Sequence, residues 1–143
     1  MIREIEPGET ALAYPAMRAL RTHLDSEEAF VRRVDDAQRP EGYRLAGAFS
    51  DDEPHALAVA GFRVLRTLFA GDSVYVDDLS TLPDARGRGY GRGLVDWMLE
   101  EARRLGCTEL HLDSAVGPER EDAHRLYFNA RLRIVSYHFS RRV

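Results

Sequence analysis

The sequence predicts a single α/β domain over residues 1–143, with a mixed, mostly antiparallel β-sheet flanked by helices. Two observations predict this class. Strand-like runs in the middle of the chain are joined by short turns, which is typical of an antiparallel meander. A glycine-rich loop and a long amphipathic helix then lead into another short strand, and such a crossover makes the two strands it joins parallel. The expected element order is β-α-α-β-β-β-α-β-α-β.

The first part of the chain supplies one strand and two helices. Ile2 to Ile5 forms a short apolar run that ends before a Pro-Gly pair. Thr10 to Leu20 has helical spacing of its apolar residues, with a proline that must fall in the first turns. A second helix is expected over residues 29–37. Asp25 is placed to cap it, and Glu28 can bond back as in a capping box.

The remaining elements follow the same patterns. Gly61 interrupts the second meander strand, and Gly106 is placed to end the long helix in the left-handed conformation. The meander strands are expected at residues 43–49, 56–69 and 73–81, the long helix at 94–105, and the closing strand, helix and strand at 109–113, 120–129 and 133–139.

Composition and charge narrow the functional classes. The net charge is −4 and there is a single cysteine, Cys107, so neither nucleic-acid binding nor a disulfide framework is expected. No apolar run is long enough to cross a membrane, and no leader-like pattern is recognisable, so we expect a cytoplasmic protein. The histidines are scattered, and no His/Asp/Glu cluster has the spacing of a metal site. Residues 1–55 hold 12 of the 24 acidic residues and 7 of the 20 arginines, which weakly favours a cationic ligand there.

The stretch from Ala85 to Gly93 is the strongest functional signal. Its glycines precede a helix, where unpaired backbone N–H groups and the helix dipole favour an anion such as phosphate. A Walker phosphate loop needs a lysine, and this chain contains none. A dinucleotide fingerprint fails on spacing, since Arg92 or Leu94 stands where its third glycine is required. The pattern R-x-x-G-x-G is met by Arg86, Gly89 and Gly91.

With this pattern the sequence resembles the GNAT superfamily of acetyl-CoA-dependent N-acetyltransferases. The resemblance covers nearly the whole chain, including the element order, "DLSTLPDARGRGYG" and "AHRLY". It implies a loop that holds the pyrophosphate of coenzyme A and a preceding strand that lends main-chain groups to the pantetheine arm. The implied coenzyme-binding residues are Leu79 and Thr81 on the strand, then Arg86, Gly87, Arg88, Gly89, Tyr90, Gly91 and Arg92 in the loop.

The resemblance also implies a general acid and a general base. Tyr127 matches the family tyrosine that faces the thioester sulfur, and a phenol is protonated at neutral pH. Family bases, or groups holding a relaying water, often occupy the positions of Tyr75 and Asp77, and Asp77 is the better base because it is ionised. Strand alternation puts Tyr75, Asp77, Leu79 and Thr81 on one face and Asp78 on the other, unless a bulge changes their facing.

Two positions depart from the family pattern. Arg120 stands where many relatives have asparagine, and Arg131-Leu132 stands where many have Gly-Phe. The second departure predicts a different turn before the last strand.

These features together predict an N-acetyltransferase domain that moves an acetyl group from acetyl-CoA to a primary amine of a small molecule, peptide or protein. Direct transfer assisted by an acid and a base needs no covalent enzyme intermediate. The alternative is a non-catalytic acyl-CoA-binding or regulatory module on the same fold. The identity of the amine acceptor and the formation of a homodimer stay open.

Overall fold

A five-stranded sheet in the order β1-β2-β3-β4-β5 frames the first part of the computed structural model, which describes residues 1–143. The chain divides into two compact units, Met1–Leu112 and Asp113–Val143. In the first unit the strands are β1 (Ile2–Ile5), β2 (Arg44–Ala48), β3 (Ala58–Thr67), β4 (Gly71–Thr81) and β5 (Glu109–Leu112), and the helices are α1 (Tyr14–Leu20), α2 (Glu27–Arg32) and α3 (Tyr90–Arg104).

The antiparallel meander of β2 to β4 and the parallel pairing across the crossover are confirmed, and β1 adds to the edge of β2. β1 to β4 form an antiparallel series, and β5 pairs in parallel with β4. Together with the helices this confirms the predicted class, an α/β fold with a mixed sheet. No helix is long and apolar enough to cross a membrane.

Helices cover both faces of the sheet. On one face, Met17 of α1 and Phe30 of α2 are buried in a cluster with Leu45 and Val59 of the central strands. On the other face, Phe62 packs edge-on against Trp97 of α3, with ring centroids 5.9 Å apart. Alternation along β3 explains the division, since residues 59 and 62 differ by an odd number of positions.

Ion pairs fasten α3 to the sheet. Glu101 is almost fully buried and accepts bonds from Arg44 at 2.7 Å and from Arg104 at 2.6 Å. Arg44 also forms a two-bond pair with Glu4 of β1, at 2.7 and 2.6 Å. These arginines lower the pKa of Glu101 to about 2, although burial opposes the shift.

Two helix starts differ from expectation. Ser26, not Asp25, caps α2, because its hydroxyl oxygen accepts the backbone N–H of Ala29 at 3.1 Å. The long helix α3 begins at Tyr90, four residues before the predicted Leu94. Glycines in the first turn weaken the helical pattern in the sequence without preventing the helix, because that turn packs on the sheet. At Gly93 an added Cβ would lie 2.8 Å from Ile2 of β1, so glycine permits this close approach.

The second unit, residues 113–143, contains one helix, α4 (Glu121–Asn129). The predicted strand over 133–139 is not formed: these residues have no regular secondary structure, and Ile134, Tyr137 and Phe139 are 76%, 86% and 90% exposed. The alternating pattern supplies strand propensity, but a strand also needs a hydrogen-bonding neighbour. The second unit holds no other strand that could supply one.

Candidate active site

The glycine loop forms a turn that leaves the start of α3 without a cap. Gly87 and Gly89 adopt left-handed backbone conformations, with φ of +72° and +85°, which L residues other than glycine rarely take. Gly89 is the N-cap residue, so no side chain caps the helix, and its first turn contains no acidic residue. The first N–H···O bond of the helix runs from Gly93 to Gly89, at 2.9 Å. The N–H groups of Tyr90 and Gly91 precede that bond at the start of the helix, where backbone donors have no intrahelical acceptor, so they suit an anion.

Arginines surround this helix end. Arg86 and Arg88 are exposed, and the Arg88 guanidinium lies 5.3 Å from the centre of the Tyr90 ring. Arg92 is also exposed but forms an ion pair with Asp96 at 3.0 Å. The Arg86 Nε donates to the carbonyl oxygen of Thr81 at 3.4 Å, which ties the loop to the end of β4. Cationic side chains and unpaired N–H groups therefore meet at one end of the sheet.

One edge of β4 is open beside this loop. β4 pairs with β5 only from Ser73 to Val76, so the strand beyond Val76 has β3 as its single sheet partner. Leu82 donates its N–H to Leu57 directly opposite, at 2.9 Å, which marks a hydrogen-bonded pair. Such pairs alternate with non-hydrogen-bonded ones along an antiparallel ladder. The N–H and C=O groups of Leu79 and Thr81 therefore point away from β3, toward the open edge.

A β-bulge lies where that opening begins. Gly61 pairs with Asp78 but its neighbour Phe62 pairs with Val76, so Asp77 is the extra residue of β4. A bulge interrupts the two-residue period of a strand. The predicted common face is therefore wrong: Leu79 now faces the side of Ala60, whereas Asp78 turns to the same side as Asp77.

Both aspartates are held by partners on that side. Asp77 accepts a bond from Arg63 Nε at 2.9 Å, and burial raises the pKa of its carboxyl against the opposing effect of this arginine. Asp78 accepts bonds from the Tyr43 hydroxyl at 2.7 Å and from Arg21 Nε at 2.8 Å. Sequence patterns do not identify Tyr43, Arg63 and Arg21 as site residues, because only the folding of distant segments brings them together. The signal available was the glycine inside β3, which often marks a bulge or a close backbone approach.

Tyr127 lies in the second unit, on α4. It is partly buried on the less exposed side of the helix, together with Ala123 and Leu126 as predicted. Burial raises the pKa of the Tyr127 hydroxyl, while the nearby guanidinium of Arg120 opposes the shift. The phenol is therefore protonated at neutral pH, as a proton donor must be.

The helix that carries Tyr127 ends in a left-handed turn. Arg131 has a φ of +65°, its N–H donates to Phe128, and the N–H of Leu132 donates to the carbonyl of Tyr127, both at 2.9 Å. This is a Schellman motif, which usually has glycine at the left-handed position. The different turn predicted here is thus wrong: an arginine adopts the backbone conformation typical of glycine.

Two sequence comparisons find related proteins. Residues 11–130 match the model of the acetyltransferase (GNAT) family. An uncharacterized N-acetyltransferase of Bacillus subtilis, YhdJ, is 35% identical over 119 residues, which cover 83% of this chain and 80% of that protein.

Solved structures share the fold at low sequence identity. A ribosomal-protein-alanine N-acetyltransferase from Brucella melitensis has a TM-score of 0.83 at 17% identity, and covers 100% of this chain and 99% of its own. The enzyme AAC(6')-Iy, in complex with a bisubstrate analog of CoA and acetylneamine, has a TM-score of 0.81 at 15% identity, and the match covers 100% of this chain and 97% of that one.

Proposed function

Because the chain belongs to the acetyltransferase (GNAT) family, an N-acetyltransferase family that takes its acetyl group from acetyl-CoA, we propose that it transfers this group directly to a primary amine of a small molecule, peptide or protein. The observation that carries the proposal is the uncapped N-terminus of α3 beside the open edge of β4. The helix N-terminus suits the phosphates of the coenzyme, and the open strand edge suits its amide-containing arm. Both features lie in the first unit, next to each other.

The coenzyme is assigned to backbone groups first. The N–H groups of Tyr90 and Gly91 bind the pyrophosphate, and Gly87 and Gly89 give it room to approach. The exposed guanidinium groups of the loop add charge attraction for an anionic ligand. The outward N–H and C=O groups of Leu79 and Thr81 bond the amides of the pantetheine arm, as another strand would.

The chemistry requires two proton movements. The acceptor amine must be neutral to attack the thioester carbon, and Asp77 is proposed as the base that takes its proton, directly or through a water. As the tetrahedral intermediate collapses, the C–S bond breaks and Tyr127 donates a proton to the departing sulfur. Burial raises the pKa of the Asp77 carboxyl, which makes its carboxylate a stronger base. Tyr75, which lies opposite Arg63 in the ladder, is the other candidate on this strand.

The acceptor amine is bound outside the coenzyme-binding features described above, in the first part of the chain. The fold does not select it, since the neighbours named above include an enzyme named for a ribosomal-protein alanine and one bound to an acetylneamine analog. The acidic excess of residues 1–55, with 12 acidic residues against 7 arginines, favours a cationic acceptor.

The test is a panel of amines assayed for release of coenzyme A thiol with acetyl-CoA. The panel includes a peptide beginning with alanine, neamine, a linear diamine and a lysine peptide, and mass spectrometry identifies each acetylated product. We expect thiol release that depends on at least one amine and matches the acetylated product mole for mole. Acetyl-CoA binding without amine-dependent release from a broad panel would instead indicate a non-catalytic acyl-CoA-binding module.

A further inference from the structure

Tyr43 crosses β3 at the bulge and is one of the most buried aromatic side chains, at 3% exposure. Its hydroxyl passes directly over the Cα of Gly61 to reach Asp78, 2.7 Å away. A Cβ added at Gly61 would lie 1.8 Å from that hydroxyl oxygen and 2.3 Å from the adjoining ring carbon. The glycine inside β3 is therefore required by the path of this tyrosine.

The bond from Tyr43 is one end of a chain of contacts that spans the bulge. The other carboxylate oxygen of Asp78 accepts from Arg21, which also donates to the backbone carbonyl of Asp77 at 3.0 Å. Arg63 holds the Asp77 carboxylate and lies 5.6 Å from the centre of the Tyr43 ring. The two bulged residues are thus fixed through side chain and backbone by groups from three separate segments.

We propose that Tyr43 is a positioning residue for acetyl transfer: its hydroxyl holds Asp78, and thereby the bulge of β4 that aims the Asp77 carboxylate. The inference rests on the proposed function, in which Asp77 is the base. Burial in an apolar cluster explains the ring of Tyr43 but not the hydroxyl, whose single bond goes to the bulge.

A displacement of the β4 bulge would change the charges that surround the Asp77 carboxylate. Arg63 faces it from β3 and Arg21 from the turn after α1, Asp78 follows it on its own strand, and Tyr43 lies just before β2. Burial raises the pKa of Tyr43 well above its ordinary value, so its hydroxyl remains a donor throughout the working pH range. Loss of alignment with Arg63 would remove the strongest contact that favours the charged form of Asp77.

The test compares Tyr43→Phe with the wild type, using the amine that serves best in the panel. We expect kcat to fall by about 10- to 100-fold, as displacement of a catalytic group does, with the KM for acetyl-CoA unchanged. The acidic limb of the kcat profile moves to higher pH, since a displaced Asp77 loses Arg63. Tyr14→Phe is the matched control, because the Tyr14 hydroxyl also makes one bond, to the carbonyl of Leu24 at 3.1 Å, away from the bulge.

Variants of Asp78 give a second measurement in case Tyr43→Phe folds poorly. Asp78→Asn keeps an acceptor for the Tyr43 hydroxyl, whereas Asp78→Ala removes it. We expect the asparagine variant to retain more of the kcat than the alanine variant, with equal KM for acetyl-CoA.

The outcomes separate the two claims. An active wild type with unchanged kcat and pH profile in Tyr43→Phe overturns the positioning role alone. Equal kcat values in the two Asp78 variants do the same. A wild type that acetylates no amine overturns the proposed function and this inference with it.

Discussion

Replacing Arg131 by glycine should stabilise the protein, because arginine occupies a left-handed position at the end of α4. The residue has a φ of +65° and its side chain is exposed, so the substitution removes backbone strain while breaking no buried contact. The two bonds of the Schellman motif use backbone groups and survive the change. The end of α3 has the same motif with glycine at the left-handed position, since Gly106 has a φ of +75°. There the N–H of Gly106 donates to the carbonyl of Arg103 at 3.1 Å, and the N–H of Cys107 donates to the carbonyl of Ala102 at 2.9 Å.

The magnitude follows from two opposing effects. A left-handed conformation costs a residue with a Cβ about 1–2 kcal/mol relative to glycine. Glycine adds freedom to the unfolded chain, which offsets roughly 0.5–1 kcal/mol of that gain. The net expectation is stabilisation by about 0.5–1 kcal/mol. With an unfolding entropy of about 2.1 cal/mol/K per residue, this corresponds to a rise in Tm of roughly 2–3 °C for a chain of this length.

Urea and thermal unfolding followed by circular dichroism measure the effect. Gly106→Arg is the reciprocal control and should lower the stability, since it introduces the strain that Arg131 now bears. Amide hydrogen exchange in α4 should slow in Arg131→Gly. An unchanged or lowered Tm in Arg131→Gly, beside a clear loss in Gly106→Arg, would refute the strain argument.

Three further predictions concern the buried ion pairs of Glu101, the proposed base and the glycine loop. Glu101→Gln should lower the free energy of unfolding at pH 7 by at most ~3 kcal/mol, because the pKa of Glu101 is lowered from 4.5 to about 2 in the folded state. The wild type loses this advantage as the pH falls from 4.5 through 2, so its urea midpoint should converge on that of the variant. Arg63→Gln should move the acidic limb of the kcat profile to higher pH, since Arg63 lowers the pKa of Asp77; an unmoved limb would argue against Asp77 as the base. Gly89→Ala should raise the KM for acetyl-CoA while leaving the KM for the amine unchanged, because a side chain enters the phosphate-binding turn. Gly71→Ala is the control, since Gly71 is another left-handed glycine with open space around it: it should cause similar backbone strain without raising the KM for acetyl-CoA.

The elements that local patterns specify were predictable from the sequence. The meander follows from apolar alternation between turn residues, and the glycine loop follows from its spacing before a helix. Gly106 takes the left-handed conformation that its place after an amphipathic helix predicts. Each of these features depends on a few neighbouring residues.

The features that the sequence did not disclose depend on contacts between distant segments. A two-residue period cannot locate the bulge at Asp77, which is fixed by Tyr43, Arg21 and Arg63 from elsewhere in the chain. The earlier start of α3 reflects packing of Gly93 against β1, which overrides the low helix propensity of glycine. Residues 133–139 have the alternating pattern and the propensity of a strand, but they form none because they have no hydrogen-bonding neighbour in their unit.

The most direct test of acid-assisted acetyl transfer is the steady-state kinetics of Tyr127→Phe, with coenzyme A release measured against acetyl-CoA and against the best amine. The substitution removes one proton donor and keeps the ring. We expect kcat to fall by about 10²-fold or more, with the KM for acetyl-CoA within about twofold of wild type. A kcat equal to that of the wild type would contradict the assignment of Tyr127 as the acid that protonates the departing sulfur.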